Sequence, residues 1–153
     1  MHPDEHALRR LVDELFIATD AKDWQAARGL FAEGEIEVDM SSLAGGEPVR
    51  LTADALIGGF RAGLHADKAS HHMATNYRIT TAGERAEILA HGYAWNRVAS
   101  FPAGQDLWET WGTYRLTARR TSAGWRLDGF RYDSKHTRGN DAVRTHAAGD
   151  PRA

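Results

Sequence analysis

The chain has 153 residues, 42% apolar and 26% charged, with no cysteine, which predicts one cytoplasmic globular domain without disulfides or thiolate chemistry. Nineteen Lys and Arg residues against 21 Asp and Glu give a net charge of −2, which supplies no positive field for a nucleic acid partner. No apolar run approaches the ~20 residues that span a bilayer, and the N-terminus lacks the pattern of a secretion signal, so we expect neither membrane insertion nor export.

Three helices are predicted in the first part of the chain. Apolar residues recur every three or four positions over residues 4–21 and again over 52–64, which is the spacing of amphipathic helices. A shorter helix is predicted over residues 24–31. Asp23 and Thr52 are the expected N-caps of the second and third helices.

Strands are predicted before and after the third helix. Residues 35–41 alternate polar and apolar side chains, as a half-buried strand does. Four longer β-prone segments separated by turn signals follow the helix, over residues 69–81, 84–101, 106–121 and 124–135. Residues 136–153 have little apolar content and no periodicity, and we expect them to form a flexible tail outside a domain of residues 1–135.

Helices followed by antiparallel strands are typical of an α+β domain. A strongly curved sheet can wrap the three helices and enclose a cavity. Gly92, Gly112 and Gly129 fall in the middle of long strands, where such a sheet bends. The sequence therefore predicts a pocket between the helices and the sheet.

One carboxylate falls on a predicted buried face. Extending the apolar stripe of the first helix by one turn reaches Asp20, beside Leu15 and Phe16. Burial raises the pKa of a carboxyl group unless a cation or hydrogen-bond donor compensates, and a carboxyl group tuned in this way serves general acid–base catalysis. The alternative is that the helix ends one residue earlier and that Asp20 faces water.

Two adjacent histidines, His71 and His72, open the first long strand. Neighbouring side chains of a strand point to opposite faces, so only one of the two can face a given cavity. This geometry disfavours a shared metal ion, and no Glu or His pair at helical spacing supplies further ligands, so no metal site is predicted. Met73, Tyr77 and Ile79 share the side of His71, but a sheet covered on both faces would bury both histidines, so alternation alone does not select one.

Aromatic side chains with polar tips recur at every second position along the second and third long strands. Such residues can line a substrate pocket with an apolar wall and a few hydrogen-bond donors, although they serve equally as core. Trp111 is a further candidate for the apolar wall. Asp39 ends the first strand on its polar side, and solvent exposure is its alternative. The candidate substrate-binding residues are His91, Tyr93, Trp95, Trp108, Trp111, Tyr114 and Asp39.

Several catalytic signatures are absent from the sequence. It has no G-x-S-x-G nucleophile elbow, no phosphate-binding loop, no dinucleotide fingerprint after a strand and no H-E-x-x-H zinc motif. A covalent nucleophile or a bound nucleotide therefore has no support in the sequence.

Five short motifs lie between residues 5 and 135: Ala18-Thr-Asp20-Ala-Lys-Asp23-Trp24, Leu30-Phe31-Ala, Glu37-Val-Asp39, His72-Met-Ala-Thr-Asn76 and Gly124-Trp125-Arg-Leu. Together they resemble the SnoaL-like branch of the nuclear transport factor 2-like superfamily, nearest to scytalone dehydratase, bile-acid dehydratase and hexachlorocyclohexane dehydrochlorinase. The resemblance implies an enzyme without cofactor, in which an Asp at the end of the first helix and a His on the strand after the third helix abstract a proton. The matching residues are Asp20 and His72, which selects His72 over His71. The resemblance also implies a homodimer formed through the sheet.

The sequence departs from these enzymes at several positions. Thr19 stands where scytalone dehydratase has a tyrosine, His91 matches a second-strand histidine only loosely, and Tyr114 stands where an asparagine is found. The substrate is therefore not implied. Ketosteroid isomerase is a further relative, whose base would correspond to Asp39, but its oxyanion tyrosine falls on Leu15, so that mechanism lacks an electrophile here.

We therefore predict a cone-shaped α+β barrel, a highly curved mixed or antiparallel sheet around three N-terminal helices. It would act as a cofactor-independent, dehydratase-like lyase or isomerase on a small hydrophobic, cyclic molecule, with His72 as general base and Asp20 fixing its tautomer. His91, Tyr93 or Tyr114 would supply a proton. The alternative is a non-catalytic ligand-binding or assembly domain of the same fold, in which Asp20 and His72 form a structural pair.

Overall fold

The fold combines five helices with one six-stranded sheet in a computed structural model that describes residues 2–152. The helices are α1 (Pro3–Asp20), α2 (Trp24–Gly29), α3 (Ser41–Ala44), α4 (Ala53–Gly63) and α5 (Asp141–Thr145). The strands are β1 (Glu35–Asp39), β2 (Val49–Thr52), β3 (Lys68–Ala82), β4 (Arg85–Val98), β5 (Leu107–Thr121) and β6 (Gly124–Gly139). This architecture confirms the predicted α+β class. Within the described part of the chain, no helix combines the length and apolarity needed to cross a bilayer.

The sheet is mixed, with strand order β2-β1-β6-β5-β4-β3. Strands β3 to β6 form the predicted antiparallel meander, whereas β1 runs parallel to β6 and antiparallel to β2. Register shifts after Thr75, Trp111 and Thr117 mark bulges, which bend a sheet. The edge strands β2 and β3 lie at opposite ends of the strand order, so the sheet remains open and does not close into a barrel.

Helices α1, α2 and α4 contribute to the main core on one face of the sheet, which we call the inner face. The apolar stripe of α1 is buried as predicted, with Leu8, Val12 and Leu15 fully enclosed, and α1 packs against β3 and β6. The predicted N-caps are also confirmed, because side-chain oxygens of Asp23 and Thr52 accept backbone N–H groups in the first turns of α2 and α4. A cap of this kind typically stabilises a helix by about 1 kcal/mol.

A bulge at Asn76 sets the orientation of both ends of β3. Thr75 pairs with His91 and Arg78 with Leu89, so one extra residue is inserted on β3, and Asn76 takes a left-handed backbone conformation with φ 55°. Side chains before and after the bulge therefore differ in phase. As a result both His72, four residues before Asn76, and Tyr77, directly after it, face α1. Simple alternation along the strand did not predict this.

The prediction of a flexible tail from residue 136 needs correction, because β6 continues to Gly139 and α5 follows. The last residues of β6 are held by backbone pairing with β5, as between Arg138 and Glu109, and this pairing needs no apolar pattern. Helix α5 is anchored by Val143, which is fully buried in a small second core with Val98 and other residues, and Ala142 packs against this core. Two adjacent apolar residues in five give no periodicity to detect.

No element was predicted between the first strand and the third helix, but this segment contains α3 and β2. Strand β2 pairs antiparallel with β1 and lies at the edge of the sheet. Elements of four residues do not complete enough of a period to be recognised in sequence.

Candidate functional site

A cavity of about 230 Å³ lies between the helices and the inner face of β4, β5 and β6. Its apolar walls come mainly from Phe16, Met40, Leu43, Phe60, Leu64, Trp108 and Phe130. Its polar groups belong to Thr19, His72, Asn96, Thr110, Tyr114, Tyr132 and Arg144. Such a pocket is suited to a small apolar molecule with few polar substituents. Among residues 2–152, no three His, Asp or Glu side chains cluster as metal ligands would.

Asp20, the last residue of α1, is fixed by three hydrogen bonds from β3. The His72 ring donates from Nδ1 to Oδ1 at 2.7 Å, Ser70 Oγ donates to Oδ1 at 2.8 Å, and the backbone N–H of His72 donates to Oδ2 at 2.8 Å. Burial raises the pKa of Asp20, but these hydrogen bonds and the nearby imidazole outweigh it, so the net pKa lies below its ordinary value. Asp20 is therefore ionised at neutral pH.

The imidazole of His72 has one orientation and one tautomer in this arrangement. An ionised carboxylate only accepts hydrogen bonds, so Nδ1 carries the proton and Nε2 is left as the basic nitrogen. The Phe16 ring stacks on the imidazole, with centroids 5.5 Å apart and planes within 8°. Nε2 makes no hydrogen bond within the part of the chain that the structure describes, and His72 lines the cavity.

The SnoaL-like domain model matches residues 2–131. The chain belongs to the SnoaL-like domain family. No curated protein sequence matches it. The solved Kfla4162 protein from Kribbella flavida is similar over 92% of this chain and 97% of its own, with 25% identity and a TM-score of 0.86.

Two further solved structures share the fold of this SnoaL-like chain at lower identity. A candidate scytalone dehydratase from Novosphingobium aromaticivorans is 16% identical, with a TM-score of 0.77 over 97% of this chain and 95% of that one. A candidate dehydratase of the NTF2-like family from Streptomyces avermitilis is 11% identical, with a TM-score of 0.70 over 84% and 94% of the two chains. These comparisons confirm the predicted family and the NTF2-like fold.

Only part of the predicted substrate-binding set lines the cavity on the inner face. Trp108 and Tyr114 do so. Four other candidates lie on the opposite, outer face of the sheet, and placing them in the pocket was wrong: His91, Tyr93, Trp95 and Trp111. Their neighbours Ala94 and Thr110 take the inner positions. The reason is steric, because Tyr114 lies directly over the inner side of β4 at Gly92, where a Cβ would approach Tyr114 Cδ2 to 2.7 Å.

Asp39 lies outside the cavity. Its Oδ1 accepts hydrogen bonds from the backbone N–H and hydroxyl of Ser41, at 3.0 and 2.6 Å, and Arg131 lies 3.7 Å away. The Ser41 hydrogen bonds lower the pKa of Asp39 below its ordinary value. This carboxylate contacts neither His72 nor the inner cavity, so placing Asp39 in that pocket is corrected, and it lines a larger hollow on the other side of the sheet.

Five polar residues of the cavity were not predicted as site residues: Thr19, Asn96, Thr110, Tyr132 and Arg144. Thr110 Oγ1 lies 2.8 Å from the Tyr132 hydroxyl and 3.1 Å from Ser134 Oγ. Asn96 also faces the cavity, and its side chain makes no hydrogen bond within the described range. Thr110 shares the predicted face of Trp108 and Tyr114, so alternation could have found it. Tyr132 lies in the half of β6 before the bulge near Trp111, and its orientation required the register.

A larger hollow of about 710 Å³ lies on the other side of the sheet. Several of its charged wall residues are paired with one another, as Arg50 is with Glu37 and Arg131 with Asp39. It contacts neither Asp20 nor His72. The smaller inner cavity is therefore the better candidate for chemistry.

Proposed function

We propose that the chain is a cofactor-independent lyase or isomerase that acts on a small hydrophobic, cyclic molecule. One observation carries this proposal: the Asp20 carboxylate holds the His72 imidazole so that its basic nitrogen remains available at the wall of an apolar cavity. The names of two fold neighbours as candidate dehydratases agree with it. The cavity of about 230 Å³ suits a molecule of one or two rings, since drug-sized ligands occupy larger pockets.

The reaction begins with proton transfer to His72. Nε2 takes a proton from a carbon next to a carbonyl group, and the electron pair of that C–H bond forms a C=C bond as the carbonyl π pair moves to oxygen. Asp20 stabilises the resulting imidazolium through Nδ1. In a lyase the carbonyl then re-forms, the C=C pair expels a neighbouring hydroxyl group, and the imidazolium proton leaves with it as water. In an isomerase the proton returns to another carbon.

The apolar walls support this chemistry. Phe16 stacks on the imidazole, and the buried Trp108 also lines the cavity. A water-poor site strengthens each electrostatic contact within it. The alternative function is a ligand-binding or assembly domain without catalysis, in which Asp20 and His72 form a structural pair.

The test compares dyad variants with a neighbouring histidine variant. Wild type is expected to exchange the α-protons of cyclic ketones such as 1-tetralone for deuterium in D₂O, measured by NMR. Asp20→Asn and His72→Gln should each lower this rate by on the order of a hundredfold. His71→Gln is the matched control, because His71 lies on the outer face and stacks on Trp95. Unchanged exchange in both dyad variants would contradict the proposal, and ketone binding without exchange would favour the ligand-binding alternative.

We also propose that a second copy of the chain covers the outer face. Met73 is 51% exposed there, opposite Tyr93 in the strand pairing, and His71 and Trp95 lie beside them. The expected homodimer can be tested by sedimentation velocity of Met73→Glu, which should be monomeric. Ile17→Glu on α1 is the control, since Ile17 is 61% exposed but lies away from the sheet face. A monomeric wild type, or equal effects of both substitutions, would contradict this interface.

A further inference from the structure

Three hydroxyl groups form a hydrogen-bonded chain on β5 and β6, and two of them, those of Thr110 and Tyr132, line the cavity. Tyr132 is 2% exposed, and its hydroxyl oxygen lies 2.8 Å from Thr110 Oγ1, which lies 3.1 Å from Ser134 Oγ. Gly112 makes room for the phenol, because a Cβ there would approach the Tyr132 hydroxyl to 2.7 Å. Ser42 of α3 holds the backbone of this segment by donating to the Tyr132 carbonyl at 2.8 Å and accepting the Ser134 N–H at 2.9 Å.

The strand register places this chain across the cavity from His72. His72 pairs with Ala94 on β4, and Ala94 pairs with Thr110 on β5. Adjacent strands are about 4.8 Å apart, so the backbones of His72 and Thr110 are about 10 Å apart, in one row across three strands. The small side chain of Ala94 lies between them and lines the cavity. A six-membered ring can therefore lie above Ala94, with an imidazole on one side and a hydroxyl group on the other.

The direction of these hydrogen bonds decides whether the Tyr132 hydroxyl can donate to a ligand. Each hydroxyl group donates one hydrogen bond. If Ser134 donates to Thr110 and Thr110 donates to Tyr132, the phenolic proton of Tyr132 remains for a ligand. Burial raises the pKa of Tyr132, and the hydrogen bond from Thr110 only partly offsets this, so the phenol is neutral at pH 7 and acts as a donor.

We propose that the Tyr132 hydroxyl binds the substrate's oxygen and stabilises the charge that develops there when His72 removes a proton. The inference rests on the proposed function and gives Tyr132 the role for which the sequence offered His91, Tyr93 or Tyr114. As the C–H bond breaks and the carbonyl π pair moves to oxygen, Tyr132 donates a hydrogen bond to that oxygen, with Thr110 and Ser134 polarising the phenol. The substrate class is then a cyclic ketone whose carbonyl oxygen contacts Tyr132 while the adjacent α-carbon faces His72.

Binding of naphthols tests the oxygen site without turnover. A planar bicyclic hydroxyarene resembles the enol form of a cyclic ketone, so wild type should bind 2-naphthol, measured by calorimetry. Across ring-substituted naphthols the affinity should rise as the naphthol becomes more acidic. Tyr132→Phe should weaken 2-naphthol binding about tenfold and flatten the dependence on acidity. Tyr93→Phe on the outer face is the matched control and should behave as wild type.

Thr110→Val tests whether the three linked hydroxyl groups polarise the Tyr132 phenol or merely support the fold. This substitution keeps the shape of the side chain and leaves the phenol in place. The slope of affinity against naphthol acidity should fall between those of wild type and Tyr132→Phe. An unchanged slope would mean that Thr110 does not polarise Tyr132. Circular dichroism checks that each variant is folded.

Deuterium exchange into 1-tetralone separates this inference from the proposed function. Tyr132→Phe should lower kcat by on the order of a hundredfold with little change in KM, because the hydrogen bond strengthens in the transition state. Loss of exchange in His72→Gln with full exchange in Tyr132→Phe would overturn the role of Tyr132 alone. Exchange that does not depend on His72 would overturn the proposed function, and the naphthol series would still decide whether Tyr132 binds the oxygen. No binding of 2-naphthol to wild type would overturn the oxygen site.

Discussion

The inner and outer faces of the sheet carry similar residue types but differ in how their polar groups are satisfied. On the inner face, His72 Nε2 and the Asn96 side chain face a cavity without a hydrogen-bond partner in the described chain. On the outer face, Tyr93 donates to Glu109 at 2.7 Å, and Arg138 donates to the same carboxylate at 2.8 Å. Histidines and aromatic rings therefore do not identify the functional face by themselves. The polar groups without a partner beside the cavity are what support the proposed site on the inner face.

The two faces also differ in side-chain size along β4. The inner residues Ala90, Gly92 and Ala94 are small, whereas the outer residues Tyr93 and Trp95 are large. The inner side is occupied by residues from other elements, since the Phe16 and Tyr114 rings lie 4.7 Å apart over it. Small residues thus mark the side of this strand that contacts the core.

The largest expected difference between the two faces is in the stability lost when Trp108 on the inner face or Trp111 on the outer face is replaced. Trp108 is 4% exposed in the second core, and Trp108→Ala should lower the free energy of unfolding by about 3–5 kcal/mol. Trp111 lies on the outer face against Tyr93 and Arg138, so Trp111→Ala should lower it by less than half as much. Urea unfolding at several protein concentrations measures both. Equal losses at every concentration would mean that the two faces are equally buried within one chain.

The buried Lys68 and the paired Arg138 should contribute differently to the pH dependence of stability. Lys68 is 1% exposed and donates to the Arg144 carbonyl, and burial, followed by the charges of Arg144 and Arg152, lowers the pKa of Lys68 to about 8. The unfolded chain keeps this proton until about pH 10.4, so the stability of wild type should rise between these pH values. In Lys68→Met that rise should shrink by on the order of 2 kcal/mol. Arg138→Met on the outer face is the control and should leave the rise intact.

The pH dependence of Lys68 has a defined sign. Below pH 8 the lysine is charged in both states and the folded state bears the full desolvation penalty. Above about pH 10.4 it is neutral in both states and the penalty is absent. A difference between wild type and Lys68→Met that stays constant from about pH 7 to about pH 10.5 would contradict the lowered pKa.

Glycine substitutions give the smallest expected effect. A Cβ at Gly92 meets the Tyr114 ring, so Gly92→Ala should destabilise the fold by about 1–2 kcal/mol. Gly58 lies in α4, where an added Cβ would have no neighbouring atom within 4 Å, and Gly58→Ala should stabilise the fold by up to about 1 kcal/mol. Thermal unfolding distinguishes the two signs. A stabilised Gly92→Ala would mean that the Tyr114 ring moves freely.

The helices and strands of this chain could be predicted because each long element repeats its pattern several times. The stripe of α1 extended correctly to Asp20, and the alternation of β5 correctly grouped Trp108 with Tyr114. The face of β4 could not be predicted, because alternation defines two faces without saying which one contacts the helices. His91, Tyr93 and Trp95 were assigned to the pocket because pocket walls favour such residues, whereas the shape of Tyr114 excluded them.

The choice between His71 and His72 had a different obstacle. Strict alternation backwards from Tyr77 and Ile79 would place His71 on the core side. One inserted residue between Thr75 and Arg78 shifts the alternation, so His72 lies there instead. Asn is among the residues that tolerate a left-handed backbone, but nothing in the sequence required Asn76 to adopt it. The family resemblance selected His72, and the register of β3 and β4 explains physically why it lies beside Asp20.

The bulge at Asn76 also bears on how this protein's relatives diverge. Loss of a single codon at that point would restore strict alternation along the strand. The separation of His72 and Tyr77 would fall from five residues to four, so both side chains would still face α1 without a bulge. A homologue that lacks this one residue is therefore expected to keep the same histidine beside its acidic partner.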